Sequence, residues 1–314
     1  MRASPNELAI ARSVIYASLF DYPLKLDQVH GTLIESDLTP SAILATYGRS
    51  PMLQAMVEHR DGFFFPAGRD EIVAARRRRE ARSRAFLSRH RLLLRLVCAL
   101  PYTRLVALSG SLAHLNLEGD GDLDLFIVTR GPHVWTVTVV ILVLAKLLRR
   151  RRVVCANFVL ADSHLALEQQ DLFTANQVVH LKPLIGDDLF REFLAANPFV
   201  ARFYPNFEAG PSRGLRPDGA VHRVKAALET LLEVPSRVVE AACRRAYLWH
   251  LRRRASSWRS PEQVRLQPDY LKLHTQSHRQ EVLDRFDRAL SDALERADET
   301  LEPAVAAVSA AGRR

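Results

Sequence analysis

Apolar residues at helical spacing open the chain: Leu8, Ile10, Val14, Ile15 and Phe20 follow the start signal Pro5-Asn6, and Asp21-Tyr22-Pro23 ends the run. Two shorter helical patterns follow in "LDQVHGTLI" and "PSAILATYG". In "MVEHRDGFFFPAG" the triplet Arg60-Asp61-Gly62 lies between strand-prone residues, the pattern of a tight hairpin. Short helices closed by a hairpin predict a winged-helix-like domain over residues 1–69.

Residues 70–100 read as one long connecting helix, arginine-rich at first and apolar later. After Pro101 the period shortens: "RLVAL", "DLDLFIVT" and "VVCANFVL" predict strands, with a short helix at "SLAHLNL" and a longer one over 133–150. Helical patterns return at "DLFTANQVVHLK" and "DDLFREFLAAN", closing a core over 101–204. A Pro, Gly and Ser-rich linker covers 205–219, and 220–314 reads as helix throughout. The expected class is α+β: a winged-helix-like domain, a small mixed-sheet α/β core and a helical C-terminal region.

Composition changes this picture little. A chain of 314 residues with 48% hydrophobic and 25% charged residues is that of a folded protein. The formal charge of +9 rests on 39 arginines, which favour anionic partners such as nucleotides or nucleic acid but would equally follow from arginine-biased codons. Cys98, Cys155 and Cys243 are scattered and form neither a disulfide framework nor a zinc knuckle, so a reducing cytoplasm is expected. The apolar stretch from Val134 to Leu148 falls short of the roughly twenty residues that span a bilayer and is interrupted by Lys146. A buried helix, with no membrane contact, is the expectation there. The N-terminus is too polar for a signal peptide.

Chemistry concentrates in "SGSLAHLNLEGDGDLDLFIVT", residues 109–129. Strand, then Gly110-Ser111, then helix sets backbone N–H groups against an anion: glycine lets a phosphate approach closely and serine adds a donor. Asp122 and Asp124 stand two apart at the start of a strand and so share a face. Two such charges repel unless a cation lies between them, and Mg²⁺ favours carboxylate oxygens together with phosphate. Each half has an ordinary alternative, since Gly-Ser pairs occur in many turns and strand-mouth aspartates bind water or cap helices. An EF-hand is excluded, because the sixth and twelfth places counted from Asp120 hold Leu125 and Gly131.

On these residues the chain resembles the polymerase-β-like nucleotidyltransferases, whose signature is matched by "GS" at 110–111 and "DLD" at 122–124. It is similar in particular to bacterial nucleotidyltransferase-domain proteins with an N-terminal winged-helix-like segment, through "DYP", "DGFFF", "VALSGSLA", "CANFVL", "LFTANQ" and "NPFVARFYPN", over most of residues 14–207. The resemblance implies transfer of a nucleoside monophosphate from a nucleoside triphosphate to a hydroxyl-bearing acceptor, with release of pyrophosphate. Gly110 and Ser111 would hold the triphosphate, and Asp122 and Asp124 would hold Mg²⁺, two ions being expected and Mn²⁺ able to serve. Members of this superfamily usually offer a third carboxylate on a later strand. Here "VVCANFVLAD" puts Asn157 in that region, an amide that can coordinate but cannot take a proton, with Asp162 and Asp120 as substitutes.

His114 and Asn116, just after the cradle, are candidates to touch the nucleotide, and His180 and Lys182 to touch phosphate. Arg245 and His250 show an R-x4-H spacing used by some ribonucleases, but in so arginine-rich a chain such spacings arise easily. The rival function is a regulator whose winged helix reads DNA while the α/β part senses nucleotide. Its recognition segment "TPSAILATYGRS" carries only Arg49, so nucleic acid is the less favoured partner.

Overall fold

The computed structural model describes residues 3–212, 215, 219–273 and 278–311, with backbone alone at 157, 233–235 and 303–311. Helix α1 (Pro5–Ser18) starts at a capping box: Ser4 Oγ accepts from Glu7 N, and Ser4 N donates to a Glu7 carboxylate oxygen at 2.6 Å. After α2 (Leu26–Gly31), α3 (Pro40–Arg49) and α4 (Pro51–Met56) each begin with a hydroxyl cap, Thr39 or Ser50, followed by proline at the first turn. Strands β1 (Val57–Arg60) and β2 (Phe63–Pro66) form the expected hairpin. Asp61 and Gly62 at its tip both have positive φ, 54° and 77°, as a two-residue hairpin loop requires.

The arginine-rich stretch does not run as one helix. It breaks at His90 into α5 (Glu71–Arg89) and α6 (Arg91–Ala99). His90 is buried, its ring 4.5 Å from Phe86, and the break turns Leu93, Leu94, Val97 and Cys98 onto the core. Then come β3 (Thr103–Leu108), α7 (Gly110–Ala113), β4 (Leu123–Thr129), α8 (Val134–Leu147), β5 (Val154–Ala161), α9 (Leu172–Val179), β6 (Lys182–Ile185), α10 (Asp187–Ala195) and α11 (Phe199–Phe203). Beyond the linker, whose residues 213, 214 and 216–218 lie outside the described set, are α12 (Gly219–Leu231), α13 (Glu233–Arg252), β7 (Val264–Leu266), β8 (Tyr270–Leu273) and α14 (Arg279–Ala311).

This is a mixed α/β architecture. The main sheet has the order β6-β3-β4-β5-β8-β7, with β4 and β5 parallel across α8 and the other pairs antiparallel. The expectation of helix throughout 220–314 is corrected here: β7 and β8 extend the sheet beyond β5. Alternation along the strands sorts two cores. Leu105, Ala107, Phe126 and Val128 lie in the core shared with α9, α10 and the N-terminal helices, Phe126 meeting Phe193 of α10 at 5.0 Å, while Val106, Leu108, Leu125 and Ile127 lie in the core shared with α6, α8 and α13. Helix α14 returns to the N-terminal unit, where Phe286 packs edge-on against Tyr16 at 5.1 Å.

Helix α8 buries Trp135, Ile141 and Ala145, but its opposite side leaves Val143 and Leu147 exposed. Among the described residues no helix is long and apolar enough to cross a membrane.

Candidate metal and phosphate site

The last rung between β3 and β4 is the bond from Ser109 N to the Asp124 carbonyl, 2.9 Å. The chain then turns through Gly110 at φ +62°, a conformation that side chains with a Cβ rarely adopt. Space enforces the same choice: a Cβ on Gly110 would lie 2.3 Å from Asp124 Oδ2. A side chain at this position would strain the backbone and push the Asp124 carboxylate aside. Gly110 and Ser111 are both exposed.

Asp122 and Asp124 share a face of the sheet edge, as their two-residue spacing predicts. Parallel register places Cys155 of β5 beside Asp124, and Cys155 Sγ donates to Asp122 Oδ2 at 3.1 Å. One ligand atom from each of the three residues lies within 4.8 Å of the others, all half-buried. Burial, and then the charge of Asp122, push the Asp124 carboxyl up to about 7. Neither carboxylate pairs with a lysine or arginine among the described residues, so the group could hold a cation where Asp124 otherwise keeps a proton.

Cys155 stands beside the acids, and nothing in the sequence alone singled it out. Its signal was its place at the mouth of a strand running parallel to the Asp-x-Asp strand, legible only once that pairing is known. Asn157 lies on β5 within the register irregularity between Cys155 and Phe158, and its side chain lies outside the described residues. Asp162 is excluded as a ligand here. Five residues of β4, roughly 16 Å of strand, separate Asp124 from Thr129, whose carbonyl accepts from Asp162 N. The Asp162 carboxylate instead accepts from Gly131 N at 2.9 Å. Asp120 is exposed in the loop before the pair.

His114 and Asn116 bind protein groups. Asn116 Nδ2 donates to the Phe20 carbonyl at 2.7 Å, tying the loop to the end of α1. His114 stacks on His180 at 3.9 Å between ring centres and meets the edge of Tyr22 at 5.5 Å, and both histidines line a cavity of about 20 Å³ between α1 and α9. That is room for a water molecule or two. Enclosure favours neutral imidazole: His180 is pushed down to about 4, and His114 also falls well below the ordinary histidine range. Lys182 pairs in register with Leu108, two residues from Gly110, on the flank of the turn. Arg245 and His250 are both exposed on α13.

No family model, curated protein or solved structure matches this chain.

Proposed function

We propose that this chain is a metal-dependent nucleotidyltransferase of the polymerase-β-like type. It moves a nucleoside monophosphate from a triphosphate to a hydroxyl-bearing acceptor and releases pyrophosphate. One observation carries the reading: the glycine turn offered for phosphate and the twin acids offered for metal touch each other, Gly110 against the Asp124 carboxylate. A triphosphate lying along Gly110-Ser111 would then share its cation with Asp122 and Asp124.

The donor set fits a hard divalent ion, Mg²⁺ or Mn²⁺, at the two carboxylates. When bound, that ion neutralises charge on the attacking and leaving oxygens. The backbone N–H groups and Ser111 hydroxyl would hold the phosphates in line, and Asp124 would give up its proton when a cation binds. The Cys155 thiol fixes Asp122 by its hydrogen bond. His114 and Asn116 anchor the loop that carries the turn.

We read the N-terminal helices and hairpin as a winged-helix-like unit used for packing. Phe63, Phe64 and Phe65 of its hairpin are buried, and Arg69 and Arg79 clamp Asp21 at 2.7 and 3.2 Å. The test is incubation with Mg²⁺ and α-labelled triphosphates, reading labelled acceptor and pyrophosphate. Label transfer that vanishes in Asp122→Asn and Asp124→Asn supports the reading; transfer unaffected by both removes it.

A further inference from the structure

Three stretches of the chain contain no aspartate or glutamate: those between Glu80 and Glu118, between Asp124 and Asp162, and between Glu240 and Glu262. They hold seventeen of the arginines and none of the 35 acidic residues. Codon bias toward arginine would scatter cations along the whole chain; it would not empty these stretches of acids.

The fold brings them to one place. Glu240 of α13 accepts from Trp135 N and Thr136 N at 2.9 and 2.8 Å, pinning its carboxylate to the first turn of α8. Helix α8 returns antiparallel to β4 and delivers Arg149–Arg152 at the start of β5, two residues before Val154. Helix α13 packs on α8 and ends at Arg252, followed by Arg253 and Arg254. Tyr247, between them, lies within electrostatic reach of Arg151, Arg254 and Cys155. On the other flank Arg150 lies within reach of His90, at the α5–α6 break. Arg149, Arg151, Arg152 and Arg252–Arg254 are exposed, and none is paired with an acid among the described residues. Trp249, 61% exposed, carries the Arg253 guanidinium 4.3 Å from its ring centre.

We propose that this arginine collar binds single-stranded nucleic acid and leads its terminal hydroxyl to the Asp122–Asp124 edge, making the strand end the acceptor. The acceptor role rests on the nucleotidyltransferase reading; the binding does not. In the step, the terminal hydroxyl oxygen bonds the α-phosphorus, the bond from that phosphorus to pyrophosphate breaks, and the hydroxyl proton is released. Unpaired arginines meet phosphates through bidentate geometry, and an exposed indole beside them provides a face on which an unpaired base stacks.

The test uses the full chain in EDTA with fluorescein-labelled single-stranded RNA and DNA oligonucleotides, read by anisotropy over a salt series. Expected is binding that weakens steeply with salt. Arg151→Glu with Arg152→Glu should weaken it by about tenfold or more, and Trp249→Ala by about fivefold or more. Arg151→Lys with Arg152→Lys, which keeps the charge and spares the fold, should lose less. Absence of binding, binding indifferent to the collar variants, or arginine-dependent capture of anionic phospholipid vesicles in its place overturns the proposal. Intact binding with no labelled oligonucleotide after addition of Mg²⁺ and triphosphate overturns the acceptor role, while transfer to a small hydroxyl compound in the same protein would leave the transferase reading standing.

Discussion

Asp124→Asn is expected to stabilise the metal-free protein while destroying its use of metal. Burial and the neighbouring Asp122 raise the Asp124 carboxyl from its ordinary 3.8 to about 7. With the folded value above the unfolded one, folding takes up a proton between them, and the stability so gained at low pH is lost as pH rises through about 7. Each pH unit is worth about 1.4 kcal/mol, so the full interval sets a ceiling of about 4 kcal/mol; relaxation and water at a half-buried site bring the expectation to about 2 kcal/mol. Asparagine is uncharged in both states and escapes this loss. Urea unfolding of both proteins in EDTA, from pH 4 to 8, should give a variant advantage that grows with pH and levels off above about 7. An advantage independent of pH, or a variant less stable than the wild type at pH 8, would refute the electrostatic argument.

Gly110→Ala should destabilise the fold by about 2–3 kcal/mol, from a left-handed alanine and a displaced Asp124 carboxylate. Gly119→Ala, with nothing within 4 Å of its Cβ, should change urea stability by under about half a kcal/mol. Cys155→Asp supplies a third carboxylate beside Asp124 and should tighten Mg²⁺ binding in calorimetry by about tenfold or more, at the expense of metal-free stability above pH 7. His180 is held below its ordinary 6.5, at about 4, so the stability it allows near neutrality is lost as pH falls across that window. His180→Gln should therefore lose less between pH 6.5 and 4 than the wild type does, measured by the same urea series.

Local signals carried much of this fold in the sequence. The Asp61-Gly62 hairpin, strands β3 to β5 and the same-face spacing of Asp122 and Asp124 depend on residues close in sequence, and each is found where its pattern placed it. What escaped depends on distant partners. The short strands β7 and β8 exist because β5 offers an edge to Tyr270 and Leu271, and a four-residue strand has too few positions to show alternation between helices. The break at His90 comes from packing that separates a polar helix from an apolar one, not from glycine or proline. Helix α14 was legible as a helix, but its return to Tyr16 was not. At the site, the acids and the turn were legible, whereas Cys155 became a neighbour only through parallel register, and the collar only through the packing of α13 on α8.

The most direct test is a crystal grown with Mn²⁺ and a non-hydrolysable triphosphate, examined by anomalous diffraction. The expected result is a manganese peak coordinated by both Asp122 and Asp124, with phosphate oxygens against the N–H groups of Gly110 and Ser111. Manganese away from these carboxylates, or a triphosphate held elsewhere with the glycine turn empty, would contradict it.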